Sequence, residues 1–327
     1  MRSAGAVALA GALLVGGCGL GDRVAGVHDA PAEQTGGAPL NEQTAQDIAT
    51  RAIADASAAL TGTGAAGEAA RRRTLTGSAL SVAEAMVSSK QTPTRSDPLT
   101  KPVVPQVLGI AKTSGWPRTM VTTTLDASSR RSLQVLVSAR PSSPFVVSAS
   151  VTMLSRASVP SLGRVADGIE ALPATRASGL VVSPQGALGQ LASAVAYPKP
   201  ATPKNLATTD AFTTGLRAGA AAQAKALGTL GTYAQKHVTV PRLTNAYRLA
   251  GGGALVFGQL SRVDTITPSK SAKQLTLPAD VARILGHRTT TKKVTVTYVE
   301  PVVLVVPATG QARVVGAVEQ LVTAKES

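Results

Sequence analysis

Twice along this chain the spacing of apolar residues changes from the three-and-four interval of a helix to the two-residue interval of a strand. That order limits the fold more than any other feature. In the first passage Ala45, Ile48, Ala49, Ala52, Ile53, Ala56 and Leu60 lie on one helical face, with Asn41 placed to cap the start and Thr61-Gly62 to stop it. A second helix is expected over residues 65–88. Pro93, Pro98, Pro102 and Pro105 end the helical pattern. Alternation follows: Phe145, Val147, Ala149, Val151 and Met153 are apolar, with Ser148, Ser150 and Thr152 between them, and Leu133, Val135 and Val137 repeat the pattern. Weaker strands are expected at 103–110 and 120–125, and Ser142-Ser143-Pro144 reads as a hairpin connection.

The second passage has the same order. Ser183-Pro184 is a helix start with Pro at the first helical position, and Leu188, Leu191 and Val195 form the inner stripe. A longer helix is expected from Asp210 to Leu230, and strands over 238–249, 254–265, 293–306 and 313–322. Gly251-Gly252-Gly253 and Ala308-Thr309-Gly310 supply turns, residues 277–285 a short helix, and Pro301 an edge position or a bulge. Helices set apart from antiparallel strands define an α+β fold: two tandem units, 42–172 and 180–325, each with helices followed by a curved antiparallel sheet.

The amino end reads differently. Arg2 precedes an uncharged, mostly apolar run from Ala4 to Gly17, the pattern of a secretory signal peptide over residues 1–17. The run is shorter than the roughly 20 residues needed to span a bilayer, and nothing elsewhere reaches that length free of charge or proline. It ends at Val15-Gly16-Gly17-Cys18, which resembles the lipobox of bacterial lipoproteins. The resemblance implies cleavage before Cys18 and a diacylglyceryl group on its thiol, and hence a lipid anchor at the extracytoplasmic face of the cell membrane. Two or more acyl chains anchor stably where one holds only marginally. Residues 18–41, rich in Gly and Ala with Pro31 and Pro39, read as a tether spanning about 25 Å as coil.

The stretch from Trp116-Pro117-Arg118 to Met153-Leu154, the helix after Ser183-Pro184, and Gly252-Gly253-Ala254-Leu255-Val256-Phe257-Gly258 resemble an uncharacterised family of actinobacterial lipoproteins. That resemblance implies surface attachment and names no catalytic residue. By architecture, helices wrapped by a curved sheet are similar to the cone fold of the nuclear transport factor two superfamily.

Charge narrows the partners. Lys and Arg number 33 against 18 Asp and Glu, a net +15; residues 1–97 carry 8 basic and 9 acidic side chains, so the excess lies wholly beyond them. Such a body is drawn to anionic headgroups and envelope polyanions within a Debye length of about 8 Å. Nucleic acid is a poor fit: aromatics are 2% of residues, too few to stack bases, and Arg71-Arg72-Arg73 point about 100° apart on a helix.

One cysteine excludes a disulfide framework or a cysteine-built zinc site, and no nucleophile elbow, metalloprotease helix, phosphate loop or calcium loop occurs. The sequence therefore offers no catalytic residue, metal ligand set or cofactor motif. His237 is placed at a helix-to-strand passage and His287 after a short helix, both in solvated or capping positions; Asp280 and His287 are about two helical turns apart. Asp126, Asp264 and Glu300 lie near expected strands without a pairing that calls for acid–base chemistry, and Trp116 reads as a core or turn anchor. The expectation is a cell-envelope lipoprotein with a non-enzymatic binding or scaffolding body for a protein or small-molecule partner. The alternative is an envelope hydrolase with a pocket in the second unit.

Overall fold

A computed structural model describes residues 37–91, 99, 104–113, 115–126 and 129–327. The expected signal peptide, Val15, Gly16, Gly17, Cys18 and most of the tether lie outside the described residues. Residues 36–327 form one compact unit.

Helices α1 (Glu42–Leu60), α2 (Gly64–Thr74) and α3 (Gly77–Ser88) come first. Asn41 caps α1 as expected, its Oδ1 accepting from Thr44 N at 2.8 Å. The single helix expected over 65–88 is two, because Leu75 and Thr76 are extended and Thr76 N donates to Val147 O at 2.9 Å. Leu75 is thereby driven into the core. Arg71 is buried and its Nη1 donates to Gly62 O at 2.7 Å, whereas Arg72 turns outward to Glu68 and Glu84, so the arginine run does not share a face. Strands β1 (Gln106–Ile110), β2 (Arg118–Leu125), β3 (Arg131–Ser138) and β4 (Val146–Thr152) follow as an antiparallel meander in sequence order.

After the two-residue strand β5 (Ala171–Leu172) come α4 (Pro184–Ala194) and α5 (Ala211–Leu227), capped by Ser183 and Asp210. Then come β6 (Gly231–Thr239), β7 (Asn245–Arg248), β8 (Ala254–Pro268), β9 (Leu275–Thr276), α6 (Ala279–Leu285), β10 (Thr289–Thr290), β11 (Val294–Val306), β12 (Arg313–Ala317) and β13 (Gln320–Glu326). The long strands β8 and β11 are the spine of a seven-stranded antiparallel sheet and change partners along their length. β8 pairs with β7 at its start and β6 at its end; β11 pairs with β13 at its start and β12 at its end. The fold is α+β, as the sequence implied.

Register fixes the layers. Even residues of β8 and β11 face α4, α5 and α6, and odd residues face the four-stranded sheet. Leu188 and Leu191 of α4 meet Val256, Leu260, Val302 and Leu304. On the other side Tyr247, Leu255, Phe257, Val303 and Val305 pack on Val121, Leu133, Val135, Ala149 and Val151 of the first sheet. That sheet's outer face holds α1 and α3 through Ile53, Ala49, Met120, Leu136 and Val147. The order is helices, sheet, sheet, helices. Segments 42–172 and 180–325 thus share the central core, worth roughly 1.5–3 kcal/mol for each large side chain buried.

The glycines of the 252–258 motif have separate structural tasks. Gly253 (φ +81°) makes the turn into β8. At Gly258 a Cβ would come within 2.4 Å of Leu188 Cδ1, so its absence lets α4 lie directly on the sheet.

Pro301 corrects an expectation. It is interior to β11, opposite Gln259, rather than at an edge. The strand tolerates it because its other neighbour breaks there: β12 ends at Ala317, β13 begins at Gln320, and only Val318 N reaches back, donating to Pro301 O at 3.0 Å. A missing N–H costs little where no acceptor strand runs alongside. The same break delivers Glu319 to the site described next.

Candidate functional site

Three neighbouring strands place polar residues at two-residue spacing on the helix-facing side of the large sheet: Tyr233, Gln235 and His237 on β6, Arg262 and Asp264 on β8, Tyr298 and Glu300 on β11. Direct pairs in the register are Gln235 with Asp264, His237 with Arg262, and Arg262 with Tyr298. A face that should be apolar by its position is instead a connected ionic cluster.

Arg262 is its centre. Its Nη1 donates to Glu300 Oε1 at 3.0 Å and to Glu319 Oε2 at 2.5 Å. Its Nε lies 3.2 Å from Asp264 Oδ1 without hydrogen-bond alignment, and its guanidinium carbon stands 3.7 Å from the centre of the Tyr298 ring. Burial alone would lower the Arg262 pKa; Asp264, Glu319 and Glu300 overcome it and hold the group above its ordinary value. Beneath, the wholly buried His237 and Glu300 side chains approach to 3.1 Å. The solvated or capping place expected for His237 is therefore wrong: β6 begins seven residues earlier than the 238 expected, so His237 is mid-strand and inward.

Above the cluster is a cleft of about 450 Å³ between α5 and the curved end of the sheet. Phe212, Leu216, Ile266 and Val296 are apolar walls; Asp264, Asp280, Glu319, Tyr233 and Tyr298 supply the polar lining. Asp264 is 92% buried, its side chain retaining 8% exposure, and its Oδ1 accepts no hydrogen bond. Burial pushes the Asp264 carboxyl up to about 6; Arg262 and the nearby Tyr233 hydroxyl hold it from rising further. Burial likewise raises both Tyr233 and Tyr298, which remain neutral phenols at physiological pH. The Tyr233 hydroxyl donates to Gln235 Oε1 at 3.2 Å, and Gln235 Nε2 donates to Val195 O at 2.7 Å, tying the floor to the end of α4.

The helix wall is notable for what it omits. Gly215 and Gly219, one turn apart on α5, line the cleft, and a Cβ at either would meet nothing within 4 Å. Glycine inside a helix costs roughly 0.5–1 kcal/mol relative to alanine. Both are exposed, and among the described residues no packing contact requires glycine at either place.

Other residues singled out by sequence fall elsewhere. Asp280 reaches the cleft, but His287 turns to Glu326, 3.5 Å away, so the two do not act together. Asp126 closes the turn after β2 by accepting from Arg130 N and Nε. Trp116 stacks under the Arg118 guanidinium at 4.8 Å. Among the described residues no group of three or more His, Cys, Asp and Glu side chains is placed to hold a metal ion, and no helix is long and apolar enough to cross a membrane.

The fold and cleft define an α+β module with a solvent-reached polar site on the helix-facing side of its larger sheet. The chain belongs to the family described as a domain of unknown function, DUF8094, which matches residues 69–326. That match includes β6, β8, β11 and α5, and so every residue of the cleft. No curated protein and no solved structure matches the chain.

Proposed function

We propose that the chain is a cell-envelope lipoprotein of an actinobacterial type, anchored by lipid on Cys18, whose body is a non-enzymatic module that binds a small ligand in the cleft under α5. The observation that carries the binding reading is the pair Gly215 and Gly219: two exposed, helix-weakening residues that no contact among the described residues requires, one turn apart on the wall of an open cleft. They keep open a volume that alanine or leucine would begin to fill. The anchor reading rests on the Val15-Gly16-Gly17-Cys18 pattern and the apolar run before it. The long, partner-changing strands covered by helices also support the cone-like comparison, as architecture alone. A second hollow, lined by Arg73 and Arg242 beside an Arg72 already paired with Glu84, supports attraction of the body to anionic headgroups or envelope polyanions.

A second reading is favoured by Asp264. A carboxylate raised to about 6, facing a cleft and flanked by a tyrosine donor and an arginine, is what a general base acting on water requires. On that reading the module is an envelope hydrolase, and Asp264→Asn would retain ligand while losing turnover.

The test is fractionation followed by native mass spectrometry. Wild-type protein made with its intact amino end is expected in the membrane fraction with a lipid mass increment, and Cys18→Ser in the soluble fraction without it. The extracted wild-type body is expected to carry a bound small molecule that Gly219→Leu lacks. Equal partition of wild type and Cys18→Ser would reject the anchor; identical native spectra for wild type and Gly219→Leu would reject the cleft as the site.

A further inference from the structure

The cleft's charge runs against that of the whole chain. The chain has a net +15, yet among the described residues lining the cleft Arg262 is the one basic side chain, against Asp264, Asp280 and Glu319. Arg262 is already engaged, by Glu300 from beneath, by Glu319 from the side and by Asp264 on its own strand, 3.2 Å from Nε. Asp264 lines the cleft, and its buried Oδ1, 3.2 Å from Arg262 Nε, accepts no aligned hydrogen bond among the described residues. Across the cleft Asp280, half-buried at the start of α6, adds a second negative charge.

The ring content points the same way. The chain has 4 Tyr, 3 Phe and 1 Trp. Tyr233, Tyr298 and Phe212 line this cleft, and Tyr197 packs on Tyr233 with centroids 5.9 Å apart, so half of the chain's aromatic residues gather at one place. Aromatic faces carry negative potential and attract a desolvated cation. Tyr298 already receives the Arg262 guanidinium in this way.

We infer that the cleft takes a small organic cation: an ammonium group carried on an apolar body. The ammonium would donate to the Asp264 carboxylate at the cleft wall, with Asp280 neutralising it from the facing wall. The apolar body would lie along Phe212, Leu216 and Ile266, in the space left by Gly215 and Gly219. An anionic ligand would face three carboxylates with no free basic partner lining the described cleft. Lowering the pH should weaken binding, since protonating Asp264 removes the counter-charge. The groups that face Asp264 and set this dependence are Arg262 on its own strand, Tyr233 and His237 on β6, Tyr298 and Glu300 on β11, Glu319 from the break before β13, and Asp280 on α6. From α5 the polar neighbour is the uncharged Gln223.

This inference rests on the binding reading, and the experiment separates the two. Calorimetric titration of the full chain at pH 8 uses three probes of one shape: 2-phenylethylammonium, 2-phenylethanol and 3-phenylpropionate. The ammonium is expected to bind about tenfold or more tightly than the alcohol, equivalent to one salt-bridged or cation–π contact in a partly dry site. The carboxylate is expected to bind no better than the alcohol. The ammonium's advantage should largely vanish in Asp264→Asn and at pH 5, and should shrink in Asp280→Asn, a rim change that leaves the core intact. Binding of the carboxylate at or above the ammonium, or an advantage unchanged in Asp264→Asn, would overturn the cation assignment while leaving the cleft as a site. Failure of all three probes to bind would count against the cleft reading itself.

Discussion

Replacing Arg262 by methionine is expected to destabilise the protein by about 3–5 kcal/mol at pH 8, the range for removing one partner of a buried ionic group. The reason is what it leaves behind. Glu300 is wholly buried and Asp264 nearly so, and both lose their cationic neighbour. Total stability of a domain is about 5–15 kcal/mol, so a loss of this size is a large part of the whole. Urea unfolding followed by circular dichroism measures it. The loss should shrink as the pH falls, since protonation discharges the stranded Asp264. The double change Arg262→Met with Glu300→Leu should recover part of it, the share due to Glu300, because Asp264 still lacks its cation. A loss below 1 kcal/mol that is flat with pH would show that the cluster is solvated rather than buried.

Asp264→Asn is expected to act in the opposite direction. The folded protein raises this carboxyl from an ordinary 3.8 to about 6. A raised acid binds its proton more tightly when folded, so the native state is penalised once the group ionises. The penalty is absent below about pH 4, grows as the pH rises from 4 to 6, and is constant above. At 1.36 kcal/mol per pKa unit it reaches on the order of 3 kcal/mol. Asparagine mimics the protonated acid in shape and charge. The variant should therefore match the wild type near pH 4 and exceed it by roughly 2–3 kcal/mol at pH 8, read from paired urea titrations. A variant less stable than wild type at pH 8 would mean that the Arg262 contact outweighs burial and that Asp264 serves the fold. A gain would mark Asp264 as a residue retained against stability, as residues of functional sites often are.

The fold was largely legible because its signals are local. Asn41 and Ser183 are caps whose side chains act within three residues, and the alternation at 145–153 and 133–137 follows directly from one buried sheet face. The break at Leu75 was not legible, since its cause is a hydrogen bond to β4 some seventy residues away. The site was hidden for a sharper reason. Binary patterning assigns Arg262 and Asp264 to the wet face of β8 and Val263 to the dry one, but here Arg262 and Asp264 are buried while Val263 is less so. Reading alternation as apolar-in holds for a core and reverses where a face carries a polar site. Likewise a helix expected to Leu230 and a strand expected from Val238 leave Tyr233 without a face and put His237 at a solvated passage, whereas the backbone leaves α5 at Gly228 and enters β6 at Gly231. The signal available was the recurrence of Tyr-x-Gln-x-His, Arg-x-Asp and Tyr-x-Glu at strand spacing. Glu319 had no signal at all, since its place depends on the gap between β12 and β13 opposite Pro301.

Both the charge cluster and the glycine pair lower stability where a filled core would raise it, and a ligand site is the reason given for keeping them. The most direct check needs no ligand: the equilibrium stability of Gly215→Ala/Gly219→Ala against wild type in urea. With open space at both positions, the double variant should gain about 1–2 kcal/mol from helix propensity alone. If it is instead less stable than the wild type, the two glycines are packing residues, and the wall of the cleft belongs to the fold rather than to a bound molecule.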